Sequence, residues 1–150
     1  MLEPGDAVPD FSLSAGTGET VATAGMLGKR WVIYFYPKDN TPGCTIETRE
    51  FGQALGDFSA HGVRVFGCSV GDVQAKAEFA TACGAPDLPL LADPDHQVAE
   101  LFGVWQTGPD RATGRVGRAT FLVDAQGKVE RVWDAVTPAG HAAAVLEAVG

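Results

Sequence analysis

The feature that most constrains the fold is an uninterrupted apolar run, WVIYFY, at residues 31–36. It is rich in aromatic and β-branched side chains and does not alternate between polar and apolar positions. A strand with one face in water would alternate, so the run indicates a central strand that is covered on both faces. The chain therefore has to supply other elements to cover both sides of a sheet.

The segments after this run show helical and strand patterns in turn. A helix is predicted over residues 45–60, because Phe51, Leu55 and Phe58 recur at helical spacing. Residues 63–70 then predict a second strand. The order strand, helix, strand predicts an α/β fold in which the first two strands pair in parallel.

Caps and turn signals predict the remaining elements. Asp72 is a favourable N-cap, and Thr137 followed by Pro138 predicts the start of the last helix. The segment DAQGK lies between two apolar runs and predicts a β-hairpin. We expect a single domain, residues 1–150, with a mixed sheet flanked by helices. The later elements are predicted at residues 74–83, 90–92, 97–102, 119–123, 129–133 and from 137 onward.

Charge and composition exclude several classes of partner. The chain has 11 Lys and Arg against 19 Asp and Glu, a net charge of −8, which argues against nucleic acid or an anionic membrane. No signal-peptide pattern is visible and WVIYFY is far too short to span a bilayer, so a cytoplasmic protein is expected. Three widely spaced cysteines make no disulfide framework, and the three histidines lack metal-ligand spacing, so no metal or other cofactor is expected.

Cys44 lies where parallel sheets usually carry their chemistry. It follows the central strand, with Pro42 and Gly43 immediately before it and a helical pattern after it. Sites in such sheets form beyond the carboxyl ends of the strands. The first turn of a helix favours an anion, and the thiolate is the reactive form of cysteine. A helix terminus contributes only about 0.3–1 kcal/mol, so a nearby cation is needed as well.

Three basic residues are candidates for that cation. Lys38 lies in a polar loop and is expected to be solvated, and Arg49 lies off the Cys44 face of the helix. Arg118 begins a predicted strand, and its guanidinium can reach two acceptors at once. Spacing in the sequence does not by itself bring Arg118 to Cys44.

The segments YFYPKDNTPGCTIE and RATFLVDAQGKV resemble the peroxiredoxins, most closely the peroxiredoxin Q or bacterioferritin comigratory protein group. The family pattern P-x-x-x-T-x-x-C falls on Pro37, Thr41 and Cys44, and the family arginine before a T-F-L strand falls on Arg118. The segments GDAVPDFSL, GVRVFGCSVGD and LPLLADPDHQVAELFGVW also match in order. The resemblance covers nearly the whole chain and implies a thioredoxin-like fold and a thiol peroxidase.

The resemblance also implies roles for single residues. Cys44 would be the peroxidatic cysteine, which attacks the peroxide and becomes a sulfenic acid. Thr41 would hydrogen-bond the thiolate or the peroxide, and Arg118 would hold both and stabilise the leaving oxygen. Glu47 matches an acidic position of the pattern and is given no catalytic role. The substrate pocket would be shaped by Pro37, Pro42 and Gly43.

The fate of the oxidised cysteine is open between two routes. Many relatives carry a second cysteine five residues after the first, where this chain has Arg49. Others carry it in the following helix, where this chain has Cys83, about one turn after the matching position at Ala80. We expect Cys83 to form a disulfide with Cys44 after both helices unwind locally, because a disulfide needs Cα atoms within about 7 Å. The alternative is a one-cysteine mechanism with an external thiol.

The implied partners are small molecules and a reductant. Hydrogen peroxide or an alkyl hydroperoxide would be the substrate, a thioredoxin-like protein would return the electrons, and the chain would act as a monomer. The alternative function is a non-turnover redox sensor or chaperone-like module that uses the same thiol. Cys68 lies in the second predicted strand and is expected to fill a buried position.

Overall fold

The computed structural model describes residues 1–107, 114–134 and 136–150. Along the chain, a helix follows each of the first two long strands, and a hairpin precedes the last helix. The strands are β1 Ser12–Ser14, β2 Thr20–Ala22, β3 Arg30–Phe35, β4 Val63–Ser69, β5 Leu90–Ala92, β6 Trp105–Thr107, β7 Gly114–Val116, β8 Ala119–Val123 and β9 Val129–Trp133. The helices are α1 Pro42–Ala60, α2 Val73–Ala82, α3 Gln97–Phe102 and α4 His141–Val149.

The central sheet has five strands in the order β5-β4-β3-β8-β9. Strand β3 pairs in parallel with β4 and antiparallel with β8, so the sheet is mixed and the predicted parallel pairing is confirmed. Residues 31–35 of β3 are buried, as expected for a strand with both faces covered. One apolar cluster, which includes Phe35 and Phe121, covers one face, and a second, which includes Tyr34 and Phe51, covers the other.

Most predicted elements are present, and two boundaries differ in informative ways. Helix α1 begins at Pro42, three residues before the predicted start, because proline is compatible with the first helical position. The predicted start of the last helix at Thr137 and Pro138 is wrong. Helix α4 begins at His141, after Gly140 with φ +82°, and the Gly140 N–H donates to the Glu50 carboxylate of α1 at 3.0 Å. A contact from another element therefore lies at the observed start of α4.

Asp72 caps α2 as predicted, since its side chain accepts a hydrogen bond from the Ala75 N–H at 2.8 Å. Helix α2 ends at Ala82, and Cys83 is its C-cap residue. Within the part of the chain that the structure describes, no helix is both long enough and apolar enough to cross a membrane.

Candidate active site

The register of β3 and β8 places Cys44 and Arg118 at the same edge of the sheet. Phe35, at the end of β3, pairs with Ala119, so Arg118 lies just beyond the last pair, where the chain leaves β3 for α1. Cys44 is in the first turn of α1 and is fully buried. The Nη2 atom of Arg118 donates to the Cys44 Sγ at 3.3 Å across a separation of 74 residues. Strand pairing therefore brings the guanidinium to the sulfur.

The other two candidate cations, Lys38 and Arg49, are exposed. Arg118 is the one of the three whose side chain hydrogen-bonds the sulfur. Burial lowers the pKa of Arg118, but the hydrogen bond to Cys44 and the charge of Glu47 outweigh that effect and raise it above its usual value. The guanidinium is therefore a permanent positive charge beside the sulfur.

Glu47 binds the other terminal nitrogen of the Arg118 guanidinium. Its Oε1 accepts from Arg118 Nη1 at 2.7 Å, and its side chain is fully buried. Among the residues that the structure describes, Glu47 Oε2 has no hydrogen-bond partner. Burial raises the pKa of Glu47 to about 7, although the charge and hydrogen bond of Arg118 oppose that shift. Sequence reasoning gave Glu47 no role. Its position three residues after Cys44 places it on the same helix face, and this spacing could have indicated that Glu47 lies beside the sulfur.

Gly43 allows Arg118 to approach α1 closely. A Cβ atom at this position would lie 3.2 Å from Arg118 Nη2 and 3.3 Å from the Cγ of Pro138. Any side chain at position 43 would therefore press on the guanidinium that contacts the sulfur. Pro42 begins α1 beside this contact, and Pro37 is half-buried in the preceding loop.

Thr41 is the N-cap residue of α1, but its hydroxyl does not cap the helix. The hydroxyl donates to the Lys38 carbonyl at 3.0 Å, and the Thr41 carbonyl accepts from the Thr45 hydroxyl at 2.8 Å. The Thr41 hydroxyl proton is therefore directed at Lys38 and not at Cys44. The role that the resemblance implies for Thr41 stays a prediction.

All three cysteines are free and buried. Burial raises the pKa of Cys83, and the charge of Arg49 and the side chain of Thr45 partly offset that rise. Cys83 therefore lies close to the first turns of α1. Cys68 is buried in β4 as predicted, and burial, reinforced by the charge of Asp93, raises its pKa well above the usual value.

A buried histidine lies near Arg118 and was not anticipated. The Nε2 atom of His141 is 2.7 Å from the Thr120 hydroxyl. Burial, followed by the charge of Arg118, lowers the pKa of His141 to about 4. The ring is therefore neutral at pH 7 and adds no second charge beside the guanidinium. In the described ranges, no three His, Cys, Asp or Glu side chains are grouped so that they could hold a metal ion.

Comparison with known proteins identifies the family. A family model described as AhpC/TSA matches residues 4–132. Peroxiredoxin Bcp of Escherichia coli K12 is 38% identical over 149 residues, which cover 97% of this chain and 94% of that protein. The chain belongs to the AhpC/TSA family. Within that family it is a peroxiredoxin of the Bcp and peroxiredoxin Q group.

Solved structures of this group have the same fold. Peroxiredoxin Q of Xanthomonas campestris matches with a TM-score of 0.88 and 35% identity, over 99% of this chain and 95% of that one. The bacterioferritin comigratory protein of the same organism, solved to explain its alkyl peroxide reduction activity, matches with a TM-score of 0.87 and 34% identity, over 99% and 96%. The predicted thioredoxin-like fold is confirmed. This peroxiredoxin is an enzyme, a thiol peroxidase, which favours that prediction over the non-turnover sensor.

Proposed function

We propose that this peroxiredoxin reduces hydrogen peroxide and organic hydroperoxides, with Cys44 as the peroxidatic cysteine. The observation that carries the proposal is the hydrogen bond from Arg118 Nη2 to the buried Cys44 Sγ at 3.3 Å. The alkyl peroxide reduction activity of the Xanthomonas campestris relative supports organic hydroperoxides as substrates.

In the proposed reaction, the Cys44 thiolate attacks one peroxide oxygen and the O–O bond breaks. The sulfur becomes a sulfenic acid, and the other oxygen leaves as hydroxide or alkoxide and takes up a proton to give water or an alcohol. Arg118 is aimed at the sulfur and stabilises the charge that develops on the leaving oxygen. Thr41 turns its hydroxyl from Lys38 to the peroxide, which aligns the O–O bond with the sulfur. Pro37, Pro42 and the Gly43 N–H shape the pocket.

Cys83 is the proposed resolving cysteine. Its thiol attacks the sulfur of the Cys44 sulfenic acid, which releases water and forms a disulfide. A thioredoxin-like dithiol then reduces the disulfide with two electrons. The proximity of Cys83 to Thr45 and Arg49 on α1 supports this pairing. Both cysteines are buried in the same cluster, each held in or at the end of a helix. We expect the first turns of α1 and the end of α2 to unwind before the bond forms, because a disulfide needs its Cα atoms within about 7 Å and its side chains suitably directed.

Peroxide consumption by cysteine variants tests the proposal. We expect Cys44→Ser to lose all turnover, since among the described residues Cys44 is the cysteine that hydrogen-bonds Arg118. Cys83→Ser should lose turnover with thioredoxin but still be oxidised once, whereas the matched variant Cys68→Ser should keep thioredoxin-supported turnover. Turnover by Cys44→Ser would contradict the assignment of the peroxidatic cysteine.

Peptide mapping under non-reducing conditions tests the resolving step separately. After one equivalent of peroxide, the wild type should yield a Cys44–Cys83 disulfide peptide. Its absence, together with full thioredoxin-supported turnover by Cys83→Ser, would replace this step by the one-cysteine mechanism. The monomeric state implied by the resemblance stays a prediction, which sedimentation velocity of the reduced and oxidised protein checks.

A further inference from the structure

Lys76 is a fully buried cation outside the site formed by Cys44, Arg118 and Glu47. Its Nζ donates to both carboxylate oxygens of Asp39, at 3.0 Å each, to the Ser69 hydroxyl and to the Val70 carbonyl at 2.8 Å. An ammonium group has three protons, so these partners satisfy it completely.

The charge of Lys76 depends on its partners. Burial lowers the pKa of Lys76, and the charge and hydrogen bonds of Asp39 oppose that shift. The Asp39 carboxylate also accepts from the Tyr36 hydroxyl at 2.8 Å. Removing one partner of a buried ion pair leaves an uncompensated charge, which is strongly unfavourable. The contact is therefore expected to hold as long as both segments stay folded.

The Lys76–Asp39 ion pair joins the segment that contains Cys44 to the segment that ends at Cys83. Asp39 lies in the loop between β3 and Cys44, which we call the Cys44 loop, residues 36–44. Lys76 lies in the first half of α2, the helix that leads to Cys83. One contact, 37 residues apart in the sequence, therefore fastens the Cys44 loop to the helix of the proposed resolving cysteine.

Opening one of these segments without the other would leave a charge unpaired. If the Cys44 loop opens alone, the ammonium of Lys76 stays buried without its carboxylate. If α2 opens alone, the carboxylate of Asp39, whose side chain is only 13% exposed, loses its cation. Opening both together avoids a buried lone charge, because each group then reaches water.

We propose that Lys76 and Asp39 are positioning residues that couple opening of the Cys44 loop to opening of α2. Their ion pair holds the reduced arrangement in which Arg118 contacts the sulfur, and it limits the rate of the later disulfide step. The kinetic part rests on the proposed function, whereas the coupled opening of the two segments does not require that a disulfide forms.

The coupling has a chemical consequence. While both segments are closed, a second peroxide can convert the Cys44 sulfenic acid to a sulfinic acid, with release of water or an alcohol. Disulfide formation competes with this reaction. A weaker ion pair therefore gives faster disulfide formation and less sulfinic acid.

Asp39→Asn tests the kinetic consequence, because it removes the negative charge and keeps the size of the side chain and an acceptor for Tyr36. After rapid mixing with peroxide, quenching and mass spectrometry, disulfide formation should be about tenfold faster, which corresponds to ~1.4 kcal/mol. The sulfinic acid fraction should fall, while the rate of the first oxidation changes much less. Val129→Ala, in β9, is the control for a general loss of stability. It should not change the ratio of disulfide to sulfinic acid.

Amide hydrogen exchange of the reduced protein tests the coupling without any disulfide. In Asp39→Asn, exchange should accelerate both in residues 36–44 and in residues 73–83. The matched variant Tyr36→Phe removes the hydroxyl that donates to Asp39 but leaves both charges of the ion pair, so it should have a smaller effect. In a Lys76→Met background, Asp39→Asn should cause no further acceleration of exchange, because their interaction is already lost.

The two experiments distinguish failure of the proposed disulfide step from failure of the proposed coupling. If the wild type forms no Cys44–Cys83 disulfide but Asp39→Asn loosens both segments, the resolving step is wrong and the coupling stands. If the disulfide forms but Asp39→Asn accelerates exchange in one segment or in neither, the coupling is overturned. Should Lys76→Met fail to fold, the exchange data for Asp39→Asn and Tyr36→Phe alone decide the question.

Discussion

Two cations contact the Cys44 loop, Lys76 through Asp39 and Arg118 through Cys44, and their surroundings differ. Lys76 is fully buried, and Asp39, Ser69 and Val70 satisfy its protons. Arg118 is 19% exposed, directs one arm at the Cys44 sulfur and binds Glu47 with the other. One cluster has its hydrogen bonds complete, whereas the other leaves Glu47 Oε2 without a partner among the described residues.

The difference separates a cation that holds the fold from one that is available for chemistry. A compact ammonium surrounded by fixed acceptors has no donor left for a substrate. A guanidinium has five N–H groups in a planar fork, so it can bind a carboxyl group and still donate to a sulfur and a new oxyanion. The four predictions below test this contrast, from the largest expected effect to the smallest.

Lys76→Met should reduce the free energy of unfolding by about 3–5 kcal/mol, the range for removing one partner of a buried ion pair. Urea unfolding at pH 7 measures the loss. The control Lys38→Met, at an exposed position, should change it by less than about 0.5 kcal/mol. A loss for Lys76→Met as small as that of the control would mean that the pair does not hold the fold.

Arg118→Met should lower kcat/KM for peroxide by about 10²–10³-fold, ~2.7–4 kcal/mol, as expected for a lost donor to a developing oxyanion. Stability should fall less than in Lys76→Met, because Glu47, whose pKa is already about 7, can take up a proton. Steady-state kinetics and urea unfolding of the same samples give both numbers. Arg118→Lys should recover only part of the rate, since lysine lacks the fork; full recovery would show that only the charge matters.

Glu47→Gln should change how stability depends on pH. The pKa of Glu47 is raised from 4.5 to about 7, so the folded protein holds a proton that the unfolded chain has released. This group's stabilising contribution is therefore complete below about pH 4.5 and is lost as the pH rises to about 7. Glutamine has no such loss. Between pH 4.5 and 7, the free energy of unfolding of the variant, measured in urea, should rise by up to ~3 kcal/mol relative to that of the wild type. If the two proteins showed the same pH dependence of stability, the raised pKa of Glu47 would be contradicted.

Gly43→Ala should give the smallest effect, a decrease of less than about tenfold in kcat/KM for peroxide. The new Cβ displaces the Arg118 guanidinium by only a few tenths of an ångström. Gly56→Ala is a matched control in the same helix, since nothing lies within 4 Å of its Cβ position. It should leave the rate unchanged and stabilise the protein by about 0.5–1 kcal/mol. Equal rates for the two variants would show that contact with Arg118 does not depend on Gly43.

The sequence by itself determined most of the secondary-structure elements and the place of the Cys44 thiol in the fold. Continuous burial of residues 31–35, the hairpin around DAQGK and the Asp72 cap follow from local patterns, and each is present in the structure. The position of Cys44 in the first turn of a helix beyond a buried strand is equally local. These features depend on neighbouring residues, so periodicity and caps were enough to predict them.

Only the tertiary structure decided which groups surround that thiol. The Arg118–Cys44 contact spans 74 residues, and the Lys76–Asp39 contact spans 37. The carboxylate of Glu50 accepts from the Gly140 N–H immediately before α4, whereas a local cap motif predicted an earlier start. The resemblance predicted Arg118 at the site, but it gave no role to Glu47 and did not reveal Lys76. Strand register and burial bring such charges together, and both are properties of the folded chain that spacing along the sequence does not contain.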